Sequence, residues 1–401
     1  MNTNEIKKEF LLELKENAMK LEDKREYKKI TYKIWDIVVV AVLAVLADCN
    51  EWEEIEDFAI ANKLFLRKFL KLTGGIPNAI TYKRVISIID PKELNKIFVD
   101  FIKVVQYSRK TNFKEILSFD GKVDKGSSRK KGAVQKECKP LNVLNVYSDT
   151  YGMCIEQEVI EDKTNEITAI PKVIERLNLK GVICTCDALN TQKENVAKVI
   201  EKGGDYCFAL KMNHLNFYND VKDYFNHDKL LIMQSGYEGG YILEMEKSHG
   251  NIIKYEYYQT EDVKWYTEIK EWKKLKSIGL VKKTIKKPNG EEVIECRYYI
   301  SSLLLNIHEF AYSIRTHWNV ENKLHWHLDF TFKCDNNTTK DKNALFNLQL
   351  IKKFTLKILN IMKIKKKKSL KRIRKDIARN TEKEMIEIFE ILRNFDTSVI
   401  S

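Results

Sequence analysis

The sequence predicts an α/β protein whose mixed sheet is preceded by a helical region and interrupted by a β-rich insertion. Apolar residues recur at helical spacing before residue 108. Strand-like and helical stretches alternate from about 110 to 213, which is typical of a layered α/β sheet. From 214 to 298 the pattern is mostly one of alternating strands, and helices return after residue 306.

Composition excludes several classes of protein. Hydrophobic residues make up 44% of the 401 residues, too many for a disordered chain. There are 70 Lys and Arg against 57 Asp and Glu, a formal net charge of +13. This excess favours a polyanionic partner such as nucleic acid, although a Lys-rich coding bias would also produce it. The longest apolar run, 37–47, has 11 residues against the roughly 20 of a spanning helix, so we expect no membrane contact.

The eight cysteines predict a reducing environment. They are scattered, and no two have the C-x-x-C spacing of zinc ribbons and redox motifs. The first residues lack the basic and apolar regions of a signal peptide. We therefore expect a cytoplasmic protein with reduced thiols.

Residues 1–108 are predicted to form a helical domain. Its most apolar segment, 35–47, has the composition of a buried helix, and residues 52, 55 and 58 are apolar at a spacing of three. Pro91 follows Asp90 at the first position of a further helix. Two interpretations remain open, a DNA-binding module and a helical cap on the domain that follows.

The sheet is predicted to begin after this region. A strand over 115–120 ends at Asp120, and another over 181–186 ends at Asp187. The remaining elements of this first part of the core, 109–213, are strands at 142–147, 153–160 and 206–210 and helices at 167–177 and 191–202.

The second half of the chain divides by the same periodicity. The insertion, 214–298, is predicted to hold a helix at 215–226 and strands at 241–246, 252–259, 277–284 and 292–300. The second part of the core, 299–364, is helical, and 365–401 is a basic helical tail. From 363 to 375, nine of 13 residues are Lys or Arg, which indicates either a solvated helix face or a phosphate contact.

Two apolar strands that each end in an aspartate indicate a site. Open α/β sheets place their sites at the carboxyl ends of strands. A single aspartate there is more often a turn residue or a helix cap. Two on neighbouring strands would repel each other unless a cation lay between them, and Mg²⁺ or Mn²⁺ suits carboxylate oxygens.

Residues 318–329 provide a third acidic element. On a regular helix Glu321, His325 and Asp329 share one face, while Trp318, Leu324 and Leu328 form a separate apolar stripe that would pack under the sheet. A zinc site is disfavoured because His325 and His327 are two residues apart and point in different directions on a helix.

Several short motifs, in this order, resemble DDE transposases of the H-repeat-associated branch of insertion-sequence enzymes. The resemblance covers roughly residues 30–363. It rests on the following segments: Glu51-Trp52-Glu53-Glu54-Ile55, Gly75-Ile76-Pro77, Arg84-Val85, Asp120-Gly121-Lys122, 163–171, 186–193, 202–206 and 314–326.

This resemblance implies an RNase H-like fold and a DDE transposase, which cleaves DNA and joins strands. The implied metal-binding catalytic triad is Asp120, Asp187 and Glu321, with two Mg²⁺ (or Mn²⁺) ions as cofactors. The implied partner is double-stranded DNA, both element ends and target, and the implied assembly is a homodimer on DNA at the nucleoid.

Residues that the resemblance and the local charge indicate for DNA binding lie around this triad. Between residues 122 and 139 seven basic residues outnumber two acids, which suits backbone phosphates or a solvated hairpin. The expected DNA contacts are Lys122, Lys125, Arg129, Lys130, Lys131, Gln192, Lys211, Asn213, Arg315, Asn322 and His325. The chain departs from the family pattern at Lys125, His214, Cys334 and Thr339.

Three functions remain open. The first is an active transposase that binds element ends, cleaves with two metals and joins 3′ ends to target DNA. The second is a degenerate or co-opted DNA-binding protein, and the third is a metal-dependent DNA nuclease without strand transfer. The complete acidic triad favours the first over the second.

Overall fold

The computed structural model describes residues 14–104, 113–128, 138–160 and 166–393. The helices are α1 (Ile34–Leu46), α2 (Trp52–Ala61), α3 (Lys63–Leu66), α4 (Ala79–Ser87), α5 (Pro91–Val104), α6 (Glu166–Arg176), α7 (Lys193–Glu201), α8 (Leu215–Tyr224), α9 (His227–Gln234), α10 (Ile307–Asn319), α11 (Trp326–Phe330), α12 (Lys342–Lys366), α13 (Leu370–Arg379) and α14 (Thr381–Arg393). The strands are β1 (Glu115–Asp124), β2 (Leu141–Ser148), β3 (Met153–Ile160), β4 (Val182–Cys186), β5 (Asp205–Leu210), β6 (Gly240–Ser248), β7 (Asn251–Thr260), β8 (Ser277–Lys286) and β9 (Glu292–Ser301).

All nine strands form one mixed sheet in the order β3-β2-β1-β4-β5-β9-β8-β7-β6. Strands β1, β2 and β3 are antiparallel neighbours, and β4 and β5 run parallel to β1. The helices α6 and α7 lead into β4 and β5, as parallel connections require. This arrangement confirms the predicted α/β class and is that of an RNase H-like fold.

The insertion extends the core sheet. Strand β9 pairs antiparallel with β5, and β8, β7 and β6 follow outward in antiparallel order. Each predicted insertion strand is present, and a second helix, α9, follows α8 where the sequence analysis predicted only one. The division of the chain into domains stays a prediction.

Helices cover both faces of the sheet. On one face α6, α7 and α8 pack on residues such as Leu117, Cys184 and Phe208. On the other face α10 packs on Ile116 and Ile183 and reaches the insertion. At Gly279 in β8 an added Cβ would lie 2.1 Å from the ring of Phe310 in α10, so a glycine is needed for this close approach.

The N-terminal helices share one hydrophobic core with the last helices of the chain. Helix α1 is buried along almost its whole length, and its core continues into α12, α13 and α14. Arg374 of α13, fully buried, donates to the carbonyls of Val45 and Thr331 and pairs with Asp48 at 2.9 Å. Part of the basic run 363–375 therefore stabilises the interior.

Among the described residues, no helix is long and apolar enough to cross a membrane.

Candidate active site

The two predicted aspartates occupy adjacent positions on neighbouring parallel strands. Phe119 of β1 is paired with Cys186 of β4. Asp120 directly follows Phe119, and Asp187 directly follows Cys186. Parallel strands lie about 4.8 Å apart, which brings these two backbone positions close together. Asp187 follows the end of β4 as expected, but β1 continues to Asp124, so the prediction that this strand ends at Asp120 is wrong. The antiparallel partner β2 extends β1 beyond the end of β4.

Asp187 combines its place at the strand end with a turn contact. Its Oδ1 accepts hydrogen bonds from the backbone NH of Asn190 at 3.1 Å and from the amide Nδ2 of Asn190 at 2.8 Å. These bonds fix the orientation of the carboxylate, which is partly exposed at the sheet edge.

Asp120 faces a histidine. Its Oδ2 lies 3.4 Å from Nδ1 of His325, which is 12% exposed in its side chain. Burial lowers the pKa of His325 to about 3, and the charges of Lys122 and Lys353 act in the same direction. The imidazole is therefore neutral at physiological pH, so one of its two nitrogens carries a proton.

Hydrogen bonds of Asn145 and Lys353 decide which ring nitrogen of His325 carries the proton. The Nδ2 of the buried Asn145 is 3.3 Å from His325 Nε2 and donates to the carbonyl of Val143 at 3.2 Å. The Oδ1 of Asn145 accepts a hydrogen bond from the ammonium of Lys353 at 2.6 Å. This bond fixes which end of the amide is oxygen and which is nitrogen. Because Asn145 presents a donor, Nε2 of His325 accepts, and the proton on Nδ1 points to Asp120.

Glu321 lies on an irregular helix. A π-helical segment, Val320–His325, separates α10 from α11, so the prediction of one regular helix over 318–329 is wrong. Glu321 is exposed, and Asp329, expected on the same face, pairs with Lys122. Within the described ranges, no three His, Cys, Asp or Glu side chains are grouped to hold a metal ion. The Asp120, Asp187 and Glu321 triad stays a prediction.

The π-helical segment also divides the predicted apolar stripe. Trp318 packs with Tyr255 on the sheet, whereas Leu324 and Leu328 are buried in the core of the N- and C-terminal helices. The histidines of this region have internal partners. His317 Nδ1 lies 3.0 Å from Thr185 Oγ1, and His327 Nδ1 lies 3.0 Å from Thr331 Oγ1.

Lys122 is placed in the interior of the protein. It is 8% exposed and pairs with Asp329, and it lies 3.8 Å from both Asp124 and Asp335. Burial opposes its charge, but the hydrogen bond to Asp329 and the nearby carboxylates outweigh burial and raise its pKa. This placement disagrees with a direct contact between Lys122 and DNA.

Arg315 is also held by protein groups. Its guanidinium lies 2.9 Å from Glu246 and 3.8 Å from Glu244, and it is 4.6 Å from the ring centre of Tyr255. These contacts tie α10 to the insertion. Two glutamates of β6 therefore partly balance the charge of Arg315.

The other predicted DNA contacts lie nearer the surface. Lys125, Lys211, Asn213 and Asn322 are exposed, and Lys211 and Asn213 follow β5 beside the turn after Asp187. Asn213 donates to the carbonyl of Ala188 at 2.8 Å, and the partly exposed Gln192 donates to that of Leu189 at 2.9 Å. Arg129, Lys130 and Lys131 lie outside the described residues.

The sequence analysis missed Asn145 and Lys353. Asn145 interrupts the mostly apolar segment Leu141–Tyr147, and Lys353 lies among the large apolar residues of 350–359; a polar residue buried in either place needs a partner. A polar residue among apolar ones was a signal for a buried hydrogen-bond network. The partners of Asn145 and Lys353 could not be predicted from the sequence, because they depend on the fold.

Comparison with known proteins now identifies the class. Residues 111–358 match the family described as "Transposase DDE domain", and residues 17–102 match "DDE_Tnp_1-associated". The "Putative transposase YncI" of Escherichia coli O157:H7 is 33% identical over 365 residues, 90% of each chain. The "H repeat-associated putative transposase YhhI" of Escherichia coli K12 is 31% identical over 381 residues, 91% of this chain and 95% of its own.

The fold and these matches define a transposase, a class of DNA-binding and DNA-cleaving enzymes. The chain belongs to the DDE transposase family, as its motifs predicted.

Proposed function

We propose that the protein binds the ends of an insertion element, cleaves phosphodiester bonds and joins the 3′ ends to target DNA. The observation that supports this function best is the register of β1 and β4, which brings Asp120 and Asp187 to neighbouring positions. Two carboxylates beside the carboxyl end of β4 offer oxygen ligands to a divalent cation that could also bind a phosphate.

Two Mg²⁺ or Mn²⁺ ions are the proposed cofactors. The donor chemistry fits, because Asp120 and Asp187 offer only oxygen ligands and His325 is turned with its NH towards Asp120. Such ions, when bound, activate the attacking water or 3′-hydroxyl and stabilise the departing oxygen. The protein's part is to orient the carboxylates, through Asn190 for Asp187 and through His325 for Asp120.

Glu321 is the proposed third ligand. It precedes His325 by four residues on the segment that contacts Asp120, and its side chain is exposed. Single π-helical turns occur often at functional sites.

The first test is the substitution Asp187→Asn. It keeps the size of the side chain but removes the charge that holds a cation, so Mg²⁺-dependent cleavage of the DNA flanking the reading frame should fall by more than about 100-fold. DNA affinity in EDTA should be unchanged or higher. The matched control is Asp223→Asn, an exposed aspartate of α8.

Unchanged cleavage by Asp187→Asn would refute the assignment of the metal site. Analysis of the products separates the remaining functions, because joined 3′ ends are made by a transposase and cleaved ends alone by a nuclease. The proposed partner is double-stranded DNA and the proposed assembly a homodimer on paired ends, which light scattering of the protein with and without DNA would measure.

A further inference from the structure

A basic groove lies beside the helix that carries Glu321. Its volume is about 600 Å³, and its walls come from the β2–β3 hairpin, from residues 319–327 and from the last turns of α12. Four lysines line it, namely Lys323, Lys357, Lys363 and Lys367. We call this cavity the basic groove.

The charge of the basic groove is strongly one-sided. Among the described residues that line it, Asp149 is the one acid, and its carboxylate accepts hydrogen bonds from the NH of Ile116 at 2.8 Å and from the hydroxyl of Tyr312. His327 is neutral, since burial lowers its pKa to about 4. Four lysines therefore face one carboxylate that protein donors already hold, which favours an anion.

The floor of the groove contains a lysine whose charge is costly. Lys357 is 5% exposed, and burial lowers its pKa to about 7. A bound anion would offset this cost by stabilising the ammonium form. At Gly152 of the β2–β3 hairpin an added Cβ would lie 3.4 Å from Lys357 Nζ, which places this ammonium beside the hairpin turn.

The rim lysines are placed to follow an extended ligand. Lys363 and Lys367 are exposed at the end of α12, one helical turn apart, and Lys323 is exposed on the facing π-helical segment. Repeated positive charges along a groove match the repeated phosphates of a nucleic-acid backbone.

We propose that the basic groove binds the sugar–phosphate backbone of DNA, at a site separate from Asp120 and Asp187. This inference deepens the proposed function, from which it takes DNA as the polyanion. Lys323 is two residues from Glu321, so a strand in the groove runs beside the proposed catalytic segment. Lys363 and Lys367 belong to the basic run 363–375, for which a phosphate contact was one of two interpretations from the sequence, whereas Lys323 and Lys357 were not predicted to contact DNA.

The test measures DNA affinity of the full chain in EDTA, where no cleavage occurs, by fluorescence anisotropy at several salt concentrations. The probes are a labelled single strand and the corresponding duplex. The groove variant is Lys363→Ala/Lys367→Ala, and the matched control is Lys172→Ala/Lys180→Ala, two exposed lysines around α6. Both pairs remove the same charge from the surface.

The groove variant should weaken binding about tenfold or more at low salt, whereas the control should bind like the wild type. Loss of two phosphate contacts lowers the slope of log affinity against log salt by about 1.4 for a single strand and about 1.8 for a duplex. The probe with the larger loss identifies the form of DNA in the groove. Lys357→Met, which removes the buried ammonium, should also weaken binding.

Equal slopes for the groove variant, the control and the wild type would overturn the groove assignment. If the groove variant still cleaves DNA, the proposed function stands without a role for the basic groove. If the folded wild type neither binds nor cleaves DNA, the proposed function fails as well.

Discussion

At the scale of single residues, Lys353 acts on Asp120 through two intermediates. Its ammonium holds the Asn145 amide, that amide sets the proton of His325, and His325 presents Nδ1–H to Asp120. Burial lowers the pKa of Lys353, so this position is costly for a lysine. A buried charge is tolerated here because Asn145 and Gln157 both accept from it.

Lys353→Met should remove the hydrogen bond that holds the Asn145 amide in place. Without the ammonium the Asn145 amide can turn, and His325 should become a mixture of its two neutral forms. The ¹⁵N chemical shifts of histidine-labelled protein report this change, with the His325 signals assigned by their loss in His325→Gln. Cleavage should fall by about 10–100-fold, as is typical for groups that orient a metal ligand.

The matched control for this change is Lys352→Met. Lys352 is the equally buried neighbour, but it donates to the carbonyl of Phe332 and not to Asn145. If both variants leave the His325 shifts as in the wild type, the proposed path from Lys353 to Asp120 is wrong.

Asp124 gives a pH-dependent prediction. It is 1% exposed, and burial raises its pKa to about 6, although Lys122 opposes the shift. The folded state therefore binds more protons than the unfolded state between about pH 4 and 6, so stability falls as pH rises through this window. Asp124→Asn should not lose stability in this way. Its free energy of unfolding should therefore rise by about 3 kcal/mol relative to that of the wild type between about pH 4 and 6.

Urea unfolding at a series of pH values measures this difference. Asp223→Asn, a change at an exposed position of α8, serves as the control. A constant difference for Asp124→Asn over the same range would show that the Asp124 carboxyl is not neutralised on folding.

At the scale of elements, residues 318–329 show where helical spacing in the sequence fails to predict the structure. The spacing of Glu321, His325 and Asp329 fits one face of a regular helix, and His325 does reach Asp120. The wider π-helical turn changes the direction of the side chains that follow it. Asp329 therefore forms an ion pair with Lys122. Spacing alone cannot predict such a turn, because its stability comes from packing on separate cores on either side.

Helix α13 is fixed to the N-terminal helices by Arg374. Arg374→Met should lower the free energy of unfolding by about 3–5 kcal/mol, because it leaves Asp48 without its cation and the Val45 and Thr331 carbonyls without a donor. Arg372→Met, an exposed change on the same helix, should stay within about 0.5 kcal/mol. Urea denaturation of both variants tests this, and equal values would contradict a structural role for Arg374.

At the scale of the whole molecule, the sequence predicted elements better than their assembly. Strands β2 to β9 lie within a few residues of the predicted segments, because alternation and turn residues are local signals. The pairing of β5 with β9 joins residues about 90 positions apart and has no local signal. The same limit applies to the site, where Asp120 and Asp187 were predicted from strand ends but Asn145 and Lys353 were not.

The core shared between the first and last helices has a consequence for synthesis. A ribosome makes α1 before α12, α13 and α14, whose surfaces complete the hydrophobic core around it. Throughout translation this apolar helix lacks its final packing partners and is exposed to aggregation or chaperone binding. Copies that end before α12 would leave this core permanently incomplete, so we expect them to be degraded before they reach DNA.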